Sequence, residues 1–403
     1  MLDFFGVDGW VWHTVKSSCL VFLLTILQPA VVLPTTVFAA NAPGVHFVFT
    51  NDDGISEGNT ATFYTVANQG ALTKQKVVRT NWNGIGGGLF GMNRVVALQD
   101  GKQGCVFLSD AGTGQIVSIA VPALRTVASG KGSKKDGGTS NGIGLAVNSS
   151  YLYASFSDSS TIGTFELEPG CKFKFIQDIA VSGLQGGVAD GMALHGSLMV
   201  VTYGDGSIES FNIANGVPVS NGDEQNSTGS RGGTGYPTGV DITSEGHFAL
   251  FGDTSNSTVV EVSDISSGQL SKTVVYHLGR AISSSNILLS PDESLLYISN
   301  TQGGSVSAAF FDKTTGKLSR GCTSNKLKEY GSWTYLGALA QQSTTGAGGD
   351  LYAAEFGSPS SIAVINVQTS GGRCTLRESS RSPVSDQASP GLLSIGSYPP
   401  RGF

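Results

Sequence analysis

The sequence predicts an all-β fold: a seven-bladed β-propeller of four-stranded antiparallel blades. Three observations carry that prediction. An apolar strand ending in a small polar residue, a Gly/Ser-rich turn and a second apolar strand recur seven times. The copies begin at Phe47, Val106, Leu152, Leu198, Phe248, Leu295 and Leu351, at spacings of 59, 46, 46, 50, 47 and 56 residues. A steady period of this size marks a repeat architecture. Composition is the second observation: 56 glycines, 39% hydrophobic and only 13% charged residues among 403. That balance suits a globular chain of short strands and tight turns. The third is a spare strand, "GLLSIGS" (Gly391 to Ser397), while the first repeat lacks an opening strand. Joining the two closes the ring and removes the exposed edges of an open array. Six blades, eight blades or an open solenoid are the alternatives, and the spare strand argues against the solenoid.

Each repeat divides into four strands. In the sixth, "SNILLSP" (Ser285 to Pro291) is first, "LLYISN" (Leu295 to Asn300) second and "SVSAAFFD" (Ser305 to Asp312) third. A fourth lies near Cys322. Opening strands elsewhere are "IGLAVN" (Ile143 to Asn148), "GMALHG" (Gly191 to Gly196), "TGVDITSEG" (Thr238 to Gly246) and "LGALAQQ" (Leu336 to Gln342). β-Branched and aromatic residues in partial alternation, bounded by Gly, Asn, Asp and Ser, read as strands.

At the N-terminus, Lys16 precedes the apolar run Cys19 to Pro34, followed by Val37 and Ala39 at the −3 and −1 positions of a cleavage site. This is the order of a secretory signal, so residues 1–39 are expected to be a signal peptide and 40–403 the propeller. Gln28 and Pro29 interrupt the run, which disfavours a lasting membrane span. The expected location is therefore periplasmic or extracellular. Four cysteines then remain, an even number that permits disulfides in an exported protein. Cys322 and Cys374 hold equivalent places, each read as opening the last strand of its repeat, and are expected to bridge neighbouring blades. Cys105 and Cys171 are the remaining pair. No Cys-x-x-Cys or Cys/His spacing suggests a metal site. The net charge of −6 and the short cluster Lys131, Lys134, Lys135 give no basic face for nucleic acid. Asn148, Asn226 and Asn256 begin glycosylation sequons that operate only in a eukaryotic secretory pathway.

The stretch "LSPDESLLYISNTQGGSVSAAFFDKTTGKLS" (Leu289 to Ser319) resembles the blades of lactonase-type seven-bladed propellers. That family includes 6-phosphogluconolactonases, muconate-lactonizing cyclases and YVTN-like surface propellers. The resemblance implies the fold and, more distantly, lactone chemistry.

Chemistry in such a ring is expected where opening strands begin and second strands end, around the channel mouth. One ring of positions ends the second strands: Asn51, Asp110, Phe156, Tyr203, Asp253, Asn300 and Glu355. Asp110, Asp253 and Glu355 would bind a hydroxylated ligand or Ca²⁺. Alternatively, such residues satisfy their own backbone at the turn. A second ring opens the first strands: Asn93, Arg94, Asp190, Thr238, Ser285 and Asn286. Arg94, with Arg280 from the loop before blade 6, would clamp an anion. Asp190 would act as the base towards water, unless Arg94 and Asp190 serve as a structural ion pair. Loops Asn81 to Asn93 and Ser220 to Gly239 are candidate lids carrying Trp82, Phe90 and Tyr236. The glycines of the first loop lack the Lys-Ser/Thr ending of a phosphate loop.

Histidine limits the chemistry. Beyond the signal only His46, His195, His247 and His277 occur, none at the mouth. The lactonase-type family tends to place His where this chain has Asp190, Thr238 and Ser285. No Gly-x-Ser-x-Gly elbow supports a Ser-His-Asp site. Two functions follow: a monomeric module binding a sugar, lactone, glycan or envelope protein at its mouth without a required cofactor, or a lactone hydrolase with an Asp base and Arg clamp.

Overall fold

The computed structural model describes residues 46–55, 58–67, 70–86, 92–100, 103–132, 142–227, 237–254, 258–279, 284–328, 335–341, 349–356, 360–386 and 394–400. These lie in the compact unit Gly44–Phe403. The signal peptide, Arg280, Phe90, Tyr236 and Asn256 fall outside the described residues.

Seven antiparallel sheets follow one another along the chain. The first holds β1 (Phe47–Asn51), β2 (Thr60–Val66) and β3 (Leu72–Arg79). The second is β4 (Val95–Asp100), β5 (Gln103–Asp110), β6 (Gln115–Val121) and β7 (Arg125–Lys131). The third is β8 (Ile143–Val147), β9 (Tyr151–Phe156), β10 (Thr161–Glu168) and β11 (Lys172–Ala180). The fourth is β12 (Ala189–His195), β13 (Leu198–Tyr203), β14 (Ser207–Ala214) and β15 (Val217–Ser220), with the short β16 (Gln225–Asn226) beside β14. The fifth is β17 (Pro237–Ile242), β18 (Phe248–Asp253), β19 (Thr258–Asp264) and β20 (Val274–Gly279). The sixth is β21 (Ser284–Leu289), β22 (Leu295–Asn300), β23 (Ser305–Asp312) and β24 (Lys317–Thr323). The seventh is β25 (Tyr335–Gln341), β26 (Gly349–Phe356), β27 (Ser361–Ser370) and β28 (Arg373–Glu378), with β29 (Val384–Ser385) beside β27.

The last strand, β30 (Ser394–Tyr398), pairs with β1, Phe47 opposite Tyr398 and Asn51 opposite Ser394. The C-terminal strand therefore completes the first blade and closes the ring, as the sequence predicts. The inner strands β4, β8, β12, β17, β21, β25 and β30 pack in that order, β30 returning to β4.

The core lies between blades, which explains the sequence pattern. Strands β13, β18 and β22 are buried at every position because neighbouring blades cover both faces. They read as unbroken apolar runs. Leu250 and Val260 of blade 5, for example, pack with Leu296 and Ile298 of blade 6. Outer strands meet solvent on one face. In β11, Phe173 and Phe175 turn inward onto Phe165 while Lys172 and Lys174 are exposed.

Disulfides join Cys105 to Cys171 and Cys322 to Cys374. Each links neighbouring blades, the second to the third and the sixth to the seventh. Cys374 does stand near the start of its strand, but Cys322 is next to last in β24. The outer strands β24 and β28 pack against each other there, and β24 carries a register irregularity beside Cys322.

Candidate functional site

The antiparallel register brings the two predicted rings into one layer at the mouth. Ser394 stands opposite Asn51, Ala189 opposite Tyr203, Pro237 opposite Asp253 and Ser284 opposite Asn300. Four inner strands carry a register irregularity just inside that layer, between Ala189 and Met192, Pro237 and Gly239, Ser284 and Ile287, and Leu336 and Leu339. Asp190, Thr238, Ser285 and Asn286 all sit within these irregular segments. A bulge re-aims side chains, so these positions leave the regular alternation of the strand.

Here the side chains turn into the protein. Thr238 Oγ1 donates to the Ser285 carbonyl at 2.9 Å. Ser285 Oγ bonds Thr301 Oγ1 and lies 3.2 Å from Ser299 Oγ. Ser299 Oγ accepts from the Asn286 N–H at 3.0 Å. The same device recurs at other blades, where Ser155 and Thr202 hydroxyls accept from Gly144 and Gly191 N–H. Adjacent inner strands also approach closely. A Cβ on Gly191 would run into the Thr238 carbonyl oxygen, and one on Gly239 into the Ser285 carbonyl oxygen. Only glycine fits these two places.

Arg94 is held in an internal ion pair. Its Nη1 lies 2.8 Å from Asp53 Oδ2, and both side chains are buried. Asp53 is fixed in turn: its Oδ1 accepts from the Ile85 N–H at 3.0 Å, and its backbone adopts φ +53°. The partner of Arg94 in this pair is thus a residue the sequence reading passed over. Asp190 is buried, and its carbonyl accepts from the Met92 N–H at 2.9 Å. Asn93 Nδ2 donates to the Met192 carbonyl at 3.4 Å, and the Asn93 carbonyl accepts from Leu145 N–H. Asn286 Nδ2 lies 3.6 Å from Met92 Sδ. Residues 92–94 of the second blade thereby touch inner strands of the third, fourth and sixth, and lie across the channel.

The ring at the ends of the second strands is fully buried between blades. Asp110 accepts from Asn59 Nδ2 at 2.6 Å, and Asn59 also donates to Asn51 Oδ1 at 2.7 Å. Burial is the main force pushing the Asp110 carboxyl up to about 7, reinforced by the negative charge of Asp53 and opposed by the Asn59 bond. Asp253 lies within hydrogen-bonding reach of Glu261, whose carboxyl is pushed well above its ordinary range by burial and by Asp253. Glu355 accepts from Ser361 Oγ. Asp110, Asp253 and Glu355 belong to separate clusters, the first between blades 1 and 2 and the others within blades 5 and 7. Among the described residues no three His, Cys, Asp or Glu gather as a metal-ligand set. Residues missed by sequence reasoning are Asp52, Asp53, Asn59, Glu261 and Asp386. The run "NDDG" at residues 51–54 was the available signal for the first two.

The mouth-side loops expose three large apolar side chains among polar neighbours such as Asn81, Asn83, Ser182 and Gln185. Ile55 is 52%, Leu184 50% and Trp82 36% exposed. These loops are pinned. Gly84 N–H donates to the Gly54 carbonyl at 2.7 Å, and Asp205 Oδ2 accepts from Gln185 and Gly187 N–H at 2.7 and 2.9 Å. On the opposite side, a depression of about 230 Å³ between blades 2 and 3 is lined by Leu98, Phe107, Leu167 and the Cys105–Cys171 bridge.

This arrangement defines a closed seven-bladed β-propeller. No protein-family model matches the chain, and no curated protein does. Solved structures do match in fold. A candidate 6-phosphogluconolactonase from Bacteroides uniformis superposes with a TM-score of 0.65 at 15% identity, over 87% of this chain and 99% of that one. The periplasmic gluconolactonase of Pseudomonas aeruginosa gives 0.62 at 13%, over 87% and 99%. A functionally unknown protein from Desulfotomaculum acetoxidans gives 0.61 at 16%, over 87% and 98%. At these identities the likeness is one of fold.

Proposed function

We propose that this protein is an exported propeller that binds a protein or glycan through its mouth-side loops, without catalysis. One observation carries the reading: of the polar groups expected to do chemistry at the mouth, Arg94, Asp190, Thr238, Ser285 and Asn286 are buried, with Arg94, Thr238 and Ser285 bonded inside the protein, while the loops above present Ile55, Trp82 and Leu184. An anion clamp needs a guanidinium free to meet its ligand, and Arg94 already meets Asp53. Exposed apolar side chains on pinned loops mark a surface that pays little ordering cost on binding. Export is supported by two inter-blade disulfides, since such bonds persist in oxidising compartments.

The second reading, an exported lactone hydrolase, draws on the fold shared with the Pseudomonas gluconolactonase and the Bacteroides protein. In it Asp190 is the base, Arg94 or Arg280 the clamp, and Asn93, Thr238, Ser285 and Asn286 hold the sugar. Proton release by the mature chain on sugar and aliphatic lactones, with and without Ca²⁺, separates the two. The binding reading expects no rate above the spontaneous one. Turnover abolished by Asp190→Asn would overturn it.

A further inference from the structure

The first and seventh blades pack together beside the strand that closes the ring, and two buried carboxyl groups lie at that seam. Asp52 follows β1, and Asp386 follows β29. Both are 3% exposed. Strand β2 presents Thr60, Thr62 and Tyr64 on one face, as alternate residues must. Thr60 and Thr62 hydroxyls donate to Asp52 Oδ2 at 2.6 and 2.8 Å, and Thr50 donates to Oδ1. Tyr64 donates to Asp386 Oδ1. Asp386 Oδ2 is buried and has no donor. The row of Thr60, Thr62 and Tyr64 sets the Asp52 carboxyl beside that of Asp386, and burial together with Asp386 raises the hold of Asp52 on its proton.

Two ionised carboxylates in this place would repel each other and leave a lone pair unsatisfied away from water. A single proton between them removes both penalties. The other titratable groups facing the pair are Tyr64 and Lys74. The Tyr64 hydroxyl is already a donor, and its proton is held more tightly by burial and by Asp386. Lys74 Nζ donates to the Asp386 backbone carbonyl at 3.2 Å and sits 6.0 Å from the Tyr64 ring centroid. Asp53, next in sequence to Asp52, pairs with Arg94.

We propose that Asp52 and Asp386 share one proton across the seam, forming a latch that loosens when the proton leaves. In that step the acid's O–H bond breaks, the proton passes to water and two carboxylates remain. Their repulsion acts between β1–β2 and the segment holding β29 against β27, where Ser385 pairs with Ser361 and Asp386 N–H bonds the Ser360 carbonyl. The controlled element is thus the junction of the first and seventh blades, beside the β1–β30 closure.

The test is hydrogen exchange of the purified protein from pH 5 to pH 9, corrected for intrinsic rates and followed in peptides covering residues 47–66 and 379–386. Seam protection should fall at least tenfold across that range. Asp386→Asn, whose amide donates permanently to Asp52, should keep its protection. Glu261→Gln, at a buried acid of the fifth blade, should behave as wild type at the seam. A seam indifferent to pH, or an Asp386→Asn protein that follows the wild-type profile, overturns the proposal. Should Asp386→Asn not fold, the carboxyl ¹³C titration of Asp52 and Asp386 in the wild-type protein decides. A proton retained by the pair above pH 6 supports the latch, and both groups fully ionised at pH 6 overturns it.

Discussion

Arg94 and Asp53 show what burial does to a residue that looks reactive in sequence. The pair is out of water, so neither charge survives well without the other. Removing one partner from a buried pair costs about 3–5 kcal/mol, while replacing both with apolar groups is often neutral. Arg94→Ala should therefore lower unfolding stability by about that amount in urea titration. Arg94→Met combined with Asp53→Asn should recover most of it, and a double variant as unstable as the single would contradict the pairing. Asp110 makes a pH prediction. Its carboxyl titrates near 7 when folded, above its ordinary value. The folded state therefore holds the proton more tightly, so its stabilisation is full in acid and is lost as pH rises from about 4 through 7. The slope is about 1.4 kcal/mol per pH unit within that window. Asp110→Asn should flatten this part of the stability–pH curve, read from denaturation midpoints at pH 4 to 8. Neither role was legible in the sequence. Arg94 and Asp53 are 41 residues apart, and their contact exists only because two blades meet.

At the scale of elements the sequence was far more informative. Strand β22 announces itself as "LLYISN" because both its faces are covered, and β11 alternates because one is not. The opening strands were placed within a few residues, but their irregular starts were not foreseen. Apolar patterning carries no trace of which Thr or Ser hydroxyl takes a neighbouring backbone group, so Thr238 and Ser285 read equally well as ligands. The disulfides act on blade contacts. Replacing Cys322 and Cys374 with serine should cost about 2–4 kcal/mol, as removing loop-closing bridges does. Differential scanning calorimetry would show it, and an unchanged transition would mean the bridge does not constrain the unfolded chain. Strand β30 matters in another way. A chain ending after Asp386 would leave the inner edge of β1 unpaired, and such edges recruit other chains. It should aggregate or elute as oligomers in size-exclusion chromatography where the full chain does not.

The whole molecule carries buried acids in several blades. Asp52, Asp110 and Glu261 all hold protons above the usual carboxylate range, chiefly because they are buried. The lowered groups, Asp205, Asp264 and Asp312, lie nearer the surface and are held down by local hydroxyl and N–H donors. With each buried acid losing stabilisation as it ionises, the protein should melt at a higher temperature at pH 5 than at pH 8. A melting temperature that rises with pH across that range would refute this sum.

The pairing of Phe47 with Tyr398 also makes the first and last strands of the propeller neighbours within one sheet. A circular permutant follows from it: the old ends tied by a short linker, and new ones made in the connection between the fourth and fifth blades. All seven sheets would survive the re-cutting. The first blade would then be continuous polypeptide, and the place where the ring depends on non-covalent closure would have moved halfway round it.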